Sequence, residues 1–289
     1  MARGLDHVVH VVRDLEAAGE LYDMLGFTVG TRNRHPWGTH NRLIQTPGFF
    51  VELLEIAEPA LLPPPAENVF SFGAFNQDFL SAVGSGLSML VLEGRDPAAD
   101  KLDFDTAGFG GFDTFDFART GKRPDGSDVE VAFSLAYAQD PTSPHAGFFT
   151  CLQLKPENFW APDLQRHMNG TTGVAGVVLV AADPAAHLDF VTTFVDAPFR
   201  RAVDGWHIAQ TPRGAVDLMS HQLYAERFGV PAPTEHGLRL GAMRFAVEDI
   251  AKTRKRVASS RMSAEEIEDI IVVGPKSALG ATLVFEPAA

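Results

Sequence analysis

The stretch Val8-Val9-His10-Val11-Val12-Arg13-Asp14 decides the fold, because its pattern recurs three more times along the chain. An apolar run that suits a buried strand is followed by an Asp, which favours a helix N-terminus because its carboxylate accepts the first free N–H groups. The other copies are Leu90-Val91-Leu92 with Arg95-Asp96, Val177 to Ala181 with Ala182-Asp183, and Met243 to Val247 with Glu248-Asp249. Such self-similarity predicts one supersecondary unit that is present four times.

The first copy shows what the unit contains. Apolar residues recur near helical spacing from Leu15 to Leu25, and Gly26 ends the predicted helix. Three further strands are predicted, over 27–31, 41–46 and 49–56. The unit therefore has the order β-α-β-β-β. A longer match supports the first and third copies, because Gln45-Thr46-Pro47 returns as Gln210-Thr211-Pro212.

The composition indicates a globular protein and disfavours two classes of partner. The chain has 289 residues, is 45% hydrophobic and carries a formal net charge of −13, which disfavours nucleic-acid and anionic-membrane partners. Cys151 is the only cysteine, so an intrachain disulfide and a thiolate-cluster metal site are both excluded. No apolar stretch reaches membrane-spanning length, and the first strand begins too early for a signal peptide. We expect a cytoplasmic monomer or homodimer.

The four units are expected to pair as two halves. The first half covers 1–160, with units over 1–57 and 86–155, and the second covers 172–289. Local signals outside the repeated pattern predict a stiff linker at Pro63-Pro64-Pro65, a short helix within 66–85, a turn at Pro124-Asp125-Gly126-Ser127 and a short acidic helix at the capping-box match Ser263-Ala264-Glu265-Glu266.

Several of these segments together resemble the vicinal oxygen chelate superfamily, most of all its glyoxalase-like domain proteins. The segments are Leu5-Asp6-His7-Val8-Val9, Arg13-Asp14-Leu15, Leu25-Gly26-Phe27, His35 to Asn41, Phe50 to Glu55 and Gly280 to Pro287. The resemblance implies an α+β fold in which four βαβββ units pair into two curved, cup-shaped mixed sheets with helices outside. It also implies that the candidate active site lies in the cup of the first half.

The resemblance implies metal ligands on the first and fourth strands of a unit. In the first unit these positions carry His7 and Glu52, a pair that suits Zn, Mn, Fe or Ni. The corresponding residues elsewhere are Met89, Gly176 and Ala242 on the first strands, and Cys151, Asp217 and Val284 on the fourth. Two ligands fall short of the usual three or four. One divalent metal, or none, is therefore expected in the first half, and none in the second.

Other side chains near the cup are candidates for binding. His35, His40 and His145 are loop histidines that could add a ligand, whereas His10 lies on the opposite strand face from His7 if the strand is regular. The predicted substrate-binding residues are Trp37, His40, Asn41, Arg42 and Cys151. The 22 phenylalanines favour an apolar or aromatic ligand.

Two functions remain open, and a third is disfavoured. Glu52 in an apolar cup beside His7 is a candidate general base, since burial raises the pKa of a carboxyl. This favours a glyoxalase-like enzyme that performs proton transfer, isomerisation or lyase chemistry. The incomplete ligand set favours a protein that binds a small molecule without catalysis. An extradiol dioxygenase is disfavoured because Gly176, Ala242 and Val284 replace its iron ligands.

Overall fold

The computed structural model describes residues 1–64, 66–122 and 127–288. Pro65 of the predicted linker and three residues of the predicted turn, Pro124 to Gly126, lie outside the described residues. The first unit contains β1 (Leu5–Val11), α1 (Leu15–Met24), β2 (Asn33–Arg34), β3 (Thr39–Thr46) and β4 (Phe49–Ile56). After the connecting helix α2 (Phe72–Ala82), the second unit contains β5 (Gly86–Glu93), α3 (Pro97–Thr106), β6 (Phe115–Lys122), β7 (Asp128–Ala138) and β8 (Gly147–Gln153).

The second half repeats this order. The third unit contains β9 (Thr171–Ala181), α4 (Leu188–Val195), β10 (Arg200–Val203), β11 (Trp206–Gln210) and β12 (Ala215–Ser220). The helix α5 (His221–Phe228) then leads to the fourth unit, which contains β13 (Arg239–Val247), α6 (Ile250–Ser259), β14 (Glu265–Ile267), β15 (Ile270–Val273) and β16 (Thr282–Pro287). The predicted βαβββ units are confirmed.

The acidic caps begin the helices as predicted. The side chains of Asp14, Asp96 and Asp249 each accept two backbone N–H groups in the first turns of α1, α3 and α6. Asp183 caps a short 3-10 turn, Pro184–His187, that leads directly into α4. Each cap satisfies N–H groups that have no partner within the helix.

Each half forms one eight-stranded mixed sheet, as predicted. The strand orders are β2-β3-β4-β1-β5-β8-β7-β6 and β10-β11-β12-β9-β13-β16-β15-β14. The first strands of two paired units run antiparallel in the centre, and each lies parallel to the last strand of its own unit.

The two faces of each sheet have different roles. The face that we call outer packs against α1, α3, α4 and α6 and joins the other half in one shared core, where Phe27 lies 5.0 Å from Phe245 between ring centroids. His10 lies on this outer face, as predicted, and contacts the Tyr22 hydroxyl and the Leu279 carbonyl. The opposite, inner face of each sheet carries a separate apolar cluster.

Two local predictions are wrong because tertiary pairing overrides the local pattern. No strand forms over 27–31, where Phe27 enters the shared core and the amide of Thr28 donates to His167. The predicted acidic helix at 263–266 is also absent. Glu265–Ile267 instead pairs antiparallel with the β-branched run Ile270–Val273.

The helices are short compared with a membrane span. In the three described ranges, none of the helices is long and apolar enough to cross a membrane.

The contact between Gly280 and Ser85 gives a test of how the halves join. Gly280 has a φ of +84°, and a Cβ there would overlap the Ser85 carbonyl oxygen. Gly280→Ala is expected to lower the free energy of unfolding by about 3 kcal/mol or more, from left-handed strain and overpacking together. Gly108→Ala is the matched control, because φ is +81° with open space around the Cβ position, and about 1–2 kcal/mol of strain is expected. Equal losses in urea unfolding would contradict this account.

Candidate functional site

The inner face of the first sheet encloses an aromatic cavity, which we call the inner cavity. It has about 580 Å³ of empty space, part of it open to solvent. Nine aromatic side chains line it: Trp37, Phe50, Phe72, Phe115, Phe117, Phe133, Tyr137, Phe149 and Phe159. The polar residues in its wall include both predicted catalytic residues, His7 and Glu52. A cavity with this lining binds a molecule that is largely apolar and has a few polar groups.

His7 is held in one orientation by its neighbours. The pairing of β1 with β5 is irregular between Leu5 and His7, which lets the Asp6 carboxylate reach the Nδ1 atom of His7 at 2.6 Å. Phe50 stacks on the imidazole at 4.2 Å between centroids. Gln153 Nε2 donates to the second Asp6 oxygen at 3.0 Å. These contacts leave Nε2 of His7 facing Glu52.

Glu52 is buried opposite His7. Its side chain on β4 has one oxygen 2.6 Å from the Asn41 amide nitrogen, which donates to it, and the other 3.8 Å from Nε2 of His7. Burial raises the pKa of Glu52, although His7, Asn41 and Arg119 act in the opposite direction. A carboxyl that is buried and only partly compensated is a candidate acid or base for catalysis.

A polar wall stands behind Glu52. The Asn41 amide lies 3.4 Å from Nε2 of His35, and Nδ1 of His35 shares a 2.8 Å hydrogen bond with the Thr39 hydroxyl. Trp37 stacks on His35 at 4.8 Å. Burial lowers the pKa of His35 to about 3, helped by Arg119 and His40, so this imidazole is neutral near pH 7.

Two predicted binding residues lie outside the cavity. Asn41 faces inward, and strand alternation therefore turns its neighbours His40 and Arg42 to the outer side. Arg42 binds Glu16 at 2.9 Å and the Gly30 carbonyl, whereas His40 contacts Arg32 and Glu58. The structure thus places His40 and Arg42 away from the cavity, where neither is among the lining residues.

The remaining candidates divide between the cavity and the loops. Trp37 and Cys151 line the cavity, as predicted, and burial raises the pKa of the Cys151 thiol, so that it stays protonated. His35 also lines it. His145 lies in a partly exposed loop before β8, and it is not among the lining residues.

Sequence reasoning did not single out Asp6 or Arg119. Asp6 adjoins His7, but a regular strand would turn it to the other face, and only the irregular pairing brings it to His7. Arg119 follows Phe115 and Phe117 at every second position of β6, a pattern that places all three on one face. This alternation is the signal in the sequence that places Arg119 on the same strand face as the aromatic lining.

Strand register identifies the residues that correspond to His7 and Glu52 in the second unit. Val8 pairs with Leu90 at the centre of the antiparallel strands β1 and β5, so the two units are related about this pair. His7 therefore corresponds to Met89, and Val9 corresponds to Val91. Glu52 pairs with Val9, and the partner of Val91 is Phe149. Phe149, and not Cys151 as expected, therefore occupies the position corresponding to Glu52.

The donor set of the first cup does not fit a resident divalent metal. His7 and Glu52 supply two ligands, while Met89 and Phe149 supply neither a carboxylate nor an imidazole. Within residues 1–64, 66–122 and 127–288, no group of three or more His, Cys, Asp or Glu side chains is arranged to hold a metal ion. Sites that hold a catalytic metal use three protein ligands or more.

The corresponding positions of the second half hold an ion-paired network. Asp217, which corresponds to Glu52, accepts from Trp206 Nε1 at 2.8 Å and forms an ion pair with Arg244. Arg244 also binds Glu286 through two of its nitrogens. Tyr224 and Phe228 of α5 belong to the apolar cluster on this inner face.

The paired βαβββ units and a cavity on the inner face of their shared sheet are typical of the vicinal oxygen chelate fold. Residues 5–194 match the family model described as a glyoxalase-like domain. The chain therefore belongs to the glyoxalase-like domain family. None of the curated proteins matches it in sequence.

Solved structures share the fold at low sequence identity. A hypothetical protein from Staphylococcus aureus has a TM-score of 0.66 at 13% identity, with full coverage of both chains. A mutant of 4-hydroxymandelate synthase from Streptomyces coelicolor has a TM-score of 0.58 at 13% identity, covering 100% of this chain and 94% of that one. A xylose isomerase-like TIM barrel/4-hydroxyphenylpyruvate dioxygenase fusion protein has a TM-score of 0.52 at 14% identity, covering 100% and 50%.

Metal removal is expected to change little, because two protein ligands are too few for a tightly held ion. Treatment with EDTA followed by desalting should leave the Tm and the affinity for an aromatic ligand unchanged. Metal content before and after treatment is measured by mass spectrometry. A stoichiometric metal whose loss lowers the Tm would overturn the argument from the donor set.

Glu52→Gln is expected to raise the free energy of unfolding at neutral pH. The pKa of folded Glu52 lies above its ordinary 4.5, so the folded protein binds more protons than the unfolded chain between these two values. Stability of the wild type therefore falls as the pH rises through that window. Glutamine avoids this loss and keeps the oxygen that accepts from Asn41. The measurement is urea unfolding of both proteins at several pH values. A difference in the free energy of unfolding between wild type and variant that does not change with pH would refute the prediction.

Proposed function

We propose that this protein is an enzyme that transfers protons on a small, oxygenated and largely aromatic molecule bound in the inner cavity. The observation that carries the proposal is the buried carboxylate of Glu52, 3.8 Å from Nε2 of His7 in the wall of an aromatic cavity. Two groups at this separation can contact the carbon beside a carbonyl group and the carbonyl oxygen of one substrate. A base at that carbon and an acid at that oxygen are what enolisation requires.

Glu52 is the base in this proposal. Its carboxylate takes a proton from a carbon next to a carbonyl group, and the electron pair of the broken C–H bond forms a C=C bond. The burial that raises its pKa makes it a stronger base than an exposed glutamate. Asn41 orients the carboxylate by donating to its other oxygen.

His7 acts on the adjacent oxygen. In its protonated form it donates the Nε2 proton to the carbonyl oxygen, which receives the displaced π electrons, and an enol results. When the carbon that lost its proton carries a hydroxyl group, the enol is an enediol. Glu52 then returns its proton to the former carbonyl carbon, while the hydroxyl group on the other carbon gives its proton to His7 and becomes the new carbonyl group. The product is an isomer, both side chains regain their starting protonation, and no oxidant or reductant is needed. Asp6 keeps the imidazole in place through Nδ1, as an orienting carboxylate does in other acid–base pairs.

A second function is favoured by a different observation. The cavity wall is mainly aromatic, and its donor set does not fit a metal. Such a cavity also suits a protein that binds and sequesters an aromatic molecule without changing it. The two functions predict different effects of removing the Glu52 charge. An enzyme should lose catalysed proton exchange, whereas a binding protein should show only a modest change of affinity.

Glu52→Gln is expected to slow proton exchange by about 100- to 10,000-fold, the usual contribution of a general base. The probes are 2-hydroxyacetophenone and phenylacetone, and deuterium uptake from D₂O is followed by proton NMR. Glu55→Gln is the matched control, because Glu55 lies on the same strand but contacts Arg32 and the start of α1 on the outer side.

The outcomes separate the two functions. Exchange catalysed by the wild type and by Glu55→Gln, and lost in Glu52→Gln, supports the enzyme. Binding of both probes by the wild type without exchange, and only a modest change of affinity in Glu52→Gln, would contradict catalysis and favour sequestration.

A further inference from the structure

The inner cavity adjoins a larger space, which we call the outer chamber. It has about 1660 Å³ of empty volume, part of it open to solvent. Its walls are the connector residues 157–164 together with parts of β3, β6 and β7. Leu43, Arg119 and Phe159 line both spaces. A ligand that extends from one space into the other must pass Arg119.

Arg119 is a cation that the protein leaves largely uncompensated. Its Nε atom is buried without a hydrogen-bond partner, and its Nη1 atom reaches only the Asn33 side-chain oxygen, at 3.4 Å. No carboxylate of the described residues lies within ion-pair distance of it. Glu52 acts on it only through space, and burial lowers its pKa. Arg119 as a whole is half-buried, and a partly desolvated charge without a paired partner is costly unless a ligand supplies the partner.

Other buried arginines in this protein are compensated. Arg3 binds Asp100 at 2.8 Å, Arg239 pairs with Glu235, and Arg244 is bound by two carboxylates. Arg227 and Arg256 are half-buried like Arg119 and also have an Nε atom without a hydrogen-bond partner among the described residues. Arg227 lies over the Trp206 and Phe228 rings, and Arg256 donates to the Asp23 carbonyl. Arg119 differs from both in its position, because it lines both spaces at their boundary.

We infer that the ligand of this site is an aromatic carboxylate, whose ring occupies the inner cavity and whose carboxylate binds the guanidinium of Arg119. The planar fork of an arginine matches the two oxygens of a carboxylate. The chain carries a formal charge of −13, so its general field repels anions and a local cation is needed to hold one. The inference rests on the proposed function in taking this cavity as the substrate site, and it adds the class of substrate.

The test uses two probes that differ only in charge. 1-Naphthoate and 1-naphthamide have the same ring and nearly the same shape, and their affinities are measured by titration calorimetry near pH 7. The wild type is expected to bind the naphthoate at least about tenfold more tightly, a modest share of what a buried charged hydrogen bond is worth. Arg119→Gln should abolish this preference while still binding the amide.

Two further variants sharpen the result. Arg119→Lys keeps the charge without the fork and should retain part of the preference. Arg42→Gln is the control, because Arg42 is bound to Glu16 on the outer side, and it should keep the full preference. Binding of the amide by Arg119→Gln also shows that this variant has an intact cavity.

The overturning results are equally concrete. Equal or no binding of the two probes by the wild type, or an unchanged preference in Arg119→Gln, would refute the inference. Its failure is distinguishable from failure of the proposed function. If Arg119→Gln loses the preference for naphthoate but the wild type catalyses no proton exchange, the protein binds an aromatic anion without altering it. If the wild type catalyses exchange but shows no preference for naphthoate, the enzyme acts on a neutral molecule.

Discussion

The antiparallel pairing of β1 with β5 is the constraint on which the rest of the first half depends. It joins two units whose first strands would otherwise be sheet edges, and it places the aromatic side of the second unit opposite the polar side of the first. His7 and Glu52 come from one unit, whereas Arg119 and most of the phenylalanine lining come from the other. Neither unit alone has a site. The irregularity in this same pairing also brings Asp6 to His7.

The repeated pattern predicts the βαβββ unit, and the family resemblance implies that the units pair into two curved sheets. The apolar strands, the acidic caps and the spacing of the units recur because each unit meets the same demands, and all four caps act as expected. The convergence of His7 and Glu52 was also predictable, since adjacent parallel strands of one unit carry both residues. Where the pattern was only local, as in the capping-box match near Glu265, pairing with a neighbouring strand decided the structure instead.

The parts of the site that were missed depend on long-range or irregular geometry. Arg119 belongs to a strand of the second unit that touches the first only across the cavity, so no local signal connects it to Glu52. Asp6 requires a departure from regular pairing. His40 and Arg42 lie outside the cavity for a simpler reason, because consecutive residues on a strand face opposite sides and Asn41 faces inward.

The shared outer core has a consequence for synthesis of the chain. Phe27 lies against Phe245 and Phe285, and His10 bonds to the carbonyl of Leu279. These partners leave the ribosome last. At common elongation rates, translation of the second half takes on the order of ten seconds, during which the completed first sheet exposes the apolar side of its outer face. While the second half is synthesised, the nascent chain thus exposes an apolar surface to which holding chaperones can bind.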